Sequence, residues 1–183
     1  MTRLRQLDPG EMTAAQRRVY DDIIAGPRGG LGGPFAAWLH SPDLADRAQK
    51  LGEFVRFKTS LAPRLKELAI LVTARFWTAQ FEWWAHERFA LQDGVTPEVV
   101  AAIRERRRPT FSKADEALVY DFSVAMHEKH QIDDKLFAAA TAAFGETGVV
   151  ELVGILGYYT LVSMTLNTYR VPVPAGERLP LGD

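Results

Sequence analysis

Glu82 and His86 stand four residues apart, and Glu67 lies 19 positions before the histidine. On a helix, a spacing of four puts two side chains on one face within reach of each other. A carboxylate beside an imidazole fixes the tautomer and raises the basicity of the ring, which suits proton transfer near neutral pH. Phe81, Trp83, Trp84 and Phe89 surround the pair in sequence and can supply a low-dielectric wall, which perturbs pKa values further. His86 is therefore the candidate acid/base, with Glu82 and Glu67 orienting it or sharing its proton. Trp83, Trp84 and Tyr158 are the candidate substrate contacts. Two other readings stay open. Glu–His pairs at this spacing also occur on solvated helix surfaces, where they contribute only tenths of a kcal/mol. Two carboxylates and a histidine can also hold a divalent ion.

The separation of Glu67 and His86 constrains the elements that carry them. On one unbroken helix, at about 1.5 Å per residue, they would sit roughly 28 Å apart and could not share a proton. A common site requires the chain to turn back between Arg75 and Gln80, where Thr78 offers a cap but no Gly or Pro marks the break. The pattern predicts two helices, about 63–76 and 79–92. Pro63 opens the first and Gly94 closes the second.

Helical signals continue on both sides. Thr13 caps a helix to about Ile24, and a Gly/Pro-rich loop follows over residues 26–34. Those glycines do not read as a phosphate cradle, because no Gly-Lys-Ser/Thr follows and no strand precedes. Phe35 to Leu39 reads as a short helix. Ser41-Pro42 starts another, with Leu44, Ala48, Leu51 and Val55 repeating on one face. Thr96-Pro97 opens a further helix. Ser112 and Asp115 resemble a capping box for a helix reaching about His130. Asp133 starts a helix ending at Gly145, and Thr147 starts the last long one. The tail from Val171 is extended. No segment alternates with period two between turn signals. The expectation is an all-α, single-domain bundle of about seven or eight helices, with Leu68, Leu71, Val72, Leu152, Ile155 and Leu156 in its core. His127 and His130 read as a polar helix end, and His40 as structural.

With 183 residues the chain can bury a sizeable core, and its formal net charge of −1 argues against a nucleic-acid binder. Arg104, Arg106, Arg107 and Arg108 form the only basic run, read as a solvated helix end. The N-terminal residues lack an apolar leader, and the apolar stretch from Leu152 to Leu166 falls short of the roughly 20 residues a bilayer needs. A cytoplasmic location, with no membrane partner, is the expectation. Zero cysteines exclude disulfides and thiolate nucleophiles.

Several stretches together resemble one family. They are Arg64-Leu65-Lys66-Glu67-Leu68-Ala69-Ile70-Leu71, then Glu82-Trp83-Trp84-Ala85-His86, then Gly94-Val95-Thr96-Pro97-Glu98. Ser41-Pro42-Asp43-Leu44 upstream and Glu151-Leu152-Val153, Tyr158 and Asn167 downstream add to the pattern. In order and spacing they are similar to carboxymuconolactone decarboxylase and alkylhydroperoxidase D-like proteins. The resemblance divides the chain into an N-terminal helix and loop (1–33), the family-like helical domain (34–173) and a C-terminal tail (174–183). In peroxidase-type members a Cys-x-x-Cys pair precedes the histidine, with a glutamate upstream in a proton relay. Those positions fall here on Ala79, Glu82, His86 and Glu67, so the thiol chemistry is lost. The decarboxylase branch implies an acid–base site on His86, Glu82 and Glu67 with no metal or organic cofactor. It also implies a small carboxylated or lactone-type substrate and a homo-oligomer, trimeric or hexameric. A non-catalytic assembly protein retaining the fold is the alternative.

Overall fold

The structure, a computed structural model, describes residues 2–26 and 30–182. The prediction of a loop at Pro27, Arg28 and Gly29 lies outside the described residues. Among the described residues there are eight α-helices and no strand: α1 (Ala14–Ala25), α2 (Phe35–Trp38), α3 (Pro42–Phe57), α4 (Pro63–Phe76), α5 (Gln80–Gln92), α6 (Pro97–Arg104), α7 (Ala114–Glu128) and α8 (Asp134–Tyr169).

The starts follow local chemistry. Thr13 and Gln16 form a reciprocal capping box on α1, and the side chains of Thr96 and Asp133 accept N–H groups at the starts of α6 and α8. Prolines occupy the first turns of α3, α4 and α6, where their missing N–H costs nothing. The expected capping box at Ser112 does not form. α7 begins after Lys113 without a side-chain cap, because the Asp115 carboxylate turns to Arg64 on α4 instead. Within α8, Gly145 takes a non-helical φ of 69°, which bends the helix where the sequence predicted a boundary.

α4 is the central element. Every residue from Leu65 to Ala74 is buried, and α5, α7 and α8 pack around it. Leu68, Leu71, Val72, Leu152, Ile155 and Leu156 all lie in the core, as expected. The single core also takes in Val19 and Ile23 of α1 and Trp38 of α2, whose indole N–H donates to Thr165 Oγ1 at 3.0 Å. On α3 the predicted face is rotated. Ala45, Ala48, Gly52 and Val55 are buried, whereas Leu44 and Leu51 are exposed. The small residues let α3 lie close to its neighbours, so the bulky ones turn outward. By length and composition α8 could cross a bilayer, contrary to the expectation from 152–166 alone. Leu152, Ile155, Leu156, Val162 and Leu166 are nevertheless buried in the bundle core.

His127 corrects the reading of a polar helix end. It is buried between α7 and α4, stacked on Phe76 with ring centroids 4.8 Å apart. Thr73 Oγ1 donates to Ala69 O, so it accepts from His127 Nε2–H at 2.9 Å. Burial, with a contribution from His130, pushes the His127 ring down to about 4, so it is neutral at pH 7. The basic run also differs from a purely solvated end. Arg104 pairs with Glu87, Arg107 with Glu105 and Arg108 with Asp121.

Candidate active site

The break between α4 and α5 falls where the two-helix expectation requires it. α4 ends at Phe76, Thr78 adopts a left-handed φ of 48°, and Ala79 N–H donates back to Ala74 O at 2.8 Å. This closes α4 with the bond pattern of a left-handed C-terminal cap. Thr78 therefore ends one helix rather than capping the next. The chain reverses, and α5 packs beside α4.

The reversal brings Glu67 to His86. His86 Nδ1 lies 2.7 Å from Glu67 Oε2, and Nε2 lies 3.0 Å from Glu82 Oε1. The imidazole thus sits between two carboxylates, one from each helix, and all three side chains are buried. Burial alone pushes the ring pKa down. The two carboxylates, Glu67 foremost, more than reverse this and raise it to about 9. At neutral pH the ring is an imidazolium whose two N–H groups donate to opposite carboxylates.

A cavity of about 480 Å³ opens beside this trio, within the range typical of small-molecule sites. Glu82 and His86 line it, together with Phe81 and Phe89 of α5 and Tyr158 and Tyr159 of α8, while Glu67 stands behind the histidine. Arg56 of α3 and Arg88 of α5 reach it from two sides, and both guanidiniums lie over the Phe89 ring, at 4.9 and 4.6 Å from its centroid. Neither forms an ion pair with a carboxylate of the described residues. Lys66 Nζ donates to Arg56 O at 2.7 Å, which fixes the end of α3 at the rim.

Of the sequence candidates, His86, Glu82 and Glu67 come together, and Tyr158 joins the cavity wall. Trp83 and Trp84 do not line it. At about 100° per residue, the cavity arc of α5 carries residues 81, 82, 85, 86, 88 and 89, and residues 83 and 84 fall on the other side. Trp83 is buried against α6, its indole N–H donating to Glu87 at 2.9 Å, and Trp84 packs on Phe81. Sequence reasoning missed Arg56 and Arg88. Helical spacing from Glu82 and His86 could have found Arg88, but nothing local ties Arg56 on α3 to the site. Tyr159 is the other addition. Its ring meets His86 edge-on at 5.1 Å, and its hydroxyl has no hydrogen-bond partner among the described residues. Burial, then the nearby Glu82 and Glu67, hold that phenol well above its ordinary pKa, so it stays protonated.

The trio does not make a metal cage. Its carboxylates bind opposite ring nitrogens, so their oxygens and a free nitrogen do not converge on one point. Among the described residues no group of three or more His, Asp or Glu side chains is arranged to hold a metal ion.

The fold and site together define an alkylhydroperoxidase D-like helical bundle with a carboxylate–histidine–carboxylate centre and no cysteine. One solved structure of this fold is an alkylhydroperoxidase AhpD core, an uncharacterized peroxidase-related protein from Ralstonia eutropha JMP134. It has a TM-score of 0.76 at 14% identity and covers 95% of this chain and 93% of its own. A second, from Agrobacterium tumefaciens, is a protein of unknown function provisionally assigned to AhpD antioxidant defence. It has a TM-score of 0.65 at 17% identity and covers 78% of this chain and 99% of its own. At these identities the likeness shows the fold alone. In sequence, residues 42–118, a segment that holds Glu67, Glu82 and His86, match the Carboxymuconolactone decarboxylase family. No curated protein matches the chain.

Proposed function

We propose that the chain is a cofactor-independent acid/base enzyme acting on a small carboxylated or lactone-type molecule. The observation that carries this reading is the buried Glu67–His86–Glu82 relay opening on a cavity that also presents two guanidinium groups. Arg56 and Arg88 would hold a substrate carboxylate, since a guanidinium fork matches that group. Loss of CO2 leaves the bonding electron pair on the substrate as an enolate-type carbanion. Glu82, at the cavity wall, relays the proton held on His86 to that carbon. Glu67 keeps the imidazole oriented and stabilises its charged form, and water later restores the proton. Tyr159, protonated and facing the same trio, would donate to the enolate oxygen.

Thiol-dependent peroxide reduction is not part of this proposal, because that exchange requires a thiolate and the chain has no cysteine. A homo-oligomer remains part of it, supported by exposed Leu44, Leu51 and Phe54 on α3 and Val150, Val153 and Met164 on α8. Light scattering that gave a monomer at micromolar concentration would remove that element.

The test of the activity is turnover of carboxymuconolactone, followed by CO2 release, for the parent and for His86→Gln. Turnover by the parent and its loss by about 10²-fold or more in the variant are expected. No turnover of this or related carboxylated lactones by the parent would favour a non-catalytic binding protein.

A further inference from the structure

A second cavity, about 80 Å³, lies at the C-terminal ends of α4 and α6 and shares no lining residue with the first. Both helices close with the same bond pattern. Arg107 N–H donates to Ala102 O at 2.8 Å, as Ala79 N–H does to Ala74 O, and the residues between, Arg106 and Thr78, take φ of 57° and 48°. Glycine is the usual occupant of that position, and α5 uses Gly94 there, with φ of 97°. A β-branched residue at positive φ is a true outlier, because its Cβ crowds the neighbouring carbonyl oxygen. Strain of this kind persists where the side chain is needed.

The side chains of these two residues meet. Arg106 Nη2 donates to Thr78 Oγ1 at 3.0 Å, and Arg75 Nη1 donates to the same oxygen at 3.2 Å. Two guanidinium groups therefore converge on one hydroxyl. Neither forms an ion pair among the described residues, although Arg104, Arg107 and Arg108 around them all do. The dipole at the end of α6 accounts for Arg75, whose Nε donates to Arg104 O at 2.7 Å. The same dipole favours a cation at Arg106, but it does not explain why that exposed side chain turns toward a second cation. The rest of the cavity does little to offset the charge. His127 is neutral, Tyr120 is a phenol, and Glu128 is the only carboxylate among its lining residues.

We propose that Arg75 and Arg106, held together by the Thr78 hydroxyl, form a binding site for a small phosphate-type oxyanion, free or at the end of a larger molecule, separate from the His86 cavity. The two guanidiniums supply forked N–H donors suited to tetrahedral oxyanions. The cavity has room for a few water-sized groups, hence for the anion itself but not for the body of its carrier.

Calorimetric titration with inorganic phosphate and with glycerol 3-phosphate, at ionic strength matched with chloride, tests this. Saturable binding to the full chain is expected with at least one of the two. Stronger binding of the ester would assign the site to a phosphorylated molecule, and equal binding to the free ion. Arg106→Gln, at an exposed position, is expected to weaken binding about tenfold or more, the worth of a charge-assisted hydrogen bond. Arg107→Gln removes the same charge one residue away and is expected to leave affinity within about threefold. Circular dichroism would verify that both variants are folded. Absence of saturable binding, or an equal loss in the two variants, would overturn the proposal.

Discussion

Replacing Glu67 with Gln tests the electrostatics of the site at the member of the trio that does not line the cavity. The amide keeps the shape of the side chain and an acceptor oxygen for His86 Nδ1–H, but removes the charge. Burial disfavours the imidazolium, and in the parent Glu67 and Glu82 together lift the ring to about 9. Removing one opposite charge in direct contact should lower the pKa by about 1–3 units. At 1.36 kcal/mol per unit, that is roughly 1.4–4 kcal/mol of stabilisation lost by the charged form. The assay is an NMR pH titration of the ring protons in parent and variant. The His127 ring, buried between α4 and α7 and pushed down to about 4, serves as an internal reference that should not move. A His86 midpoint unchanged within about half a unit would refute the reasoning, since it would mean Glu67 does not stabilise the ring charge.

Other consequences are separately measurable. His86 is raised in the folded state from 6.5 to about 9, so its contribution to stability is complete below pH 6.5 and is lost as pH rises through 9. The loss is roughly 3 kcal/mol, readable in urea unfolding across that window. His127 has the opposite sign: folded-state depression from 6.5 to about 4 means stability declines as pH falls between those values, and His127→Gln should flatten that decline. Leu68 is fully buried on the central helix, so Leu68→Ala should cost about 2–5 kcal/mol in chemical denaturation. Peroxide consumption coupled to a dithiol donor should not exceed that of heat-killed protein.

Much of this architecture was legible because it rests on short-range rules. Prolines and caps marked the helix starts at Pro42, Pro63 and Pro97, and helical spacing joined Glu82 to His86. The partnership of Glu67 with His86 was legible only through geometry, since a shared proton demanded a reversal that no Gly or Pro announced. What fixes that reversal is a threonine in a conformation usually left to glycine. The errors have a common origin. Trp83, Trp84, Leu44 and Leu51 are large apolar residues beside the right positions, but which arc of a helix faces the cavity depends on its packing partners. Arg56 belongs to a helix that meets the site only through tertiary structure, and His127 looked polar because burial cannot be read from Met126-His127-Glu128.

The central claim is that the proton shared by His86 and Glu82 is delivered to carbon. It is tested most directly by running the decarboxylation of carboxymuconolactone in D2O and locating the deuterium in the product by NMR. One deuterium is expected at the carbon alpha to the lactone carbonyl, where the enolate is protonated, on one face only, with the rate falling by about 10²-fold or more in Glu82→Gln. Deuterium on both faces of that carbon, or an undiminished rate in the variant, would contradict it.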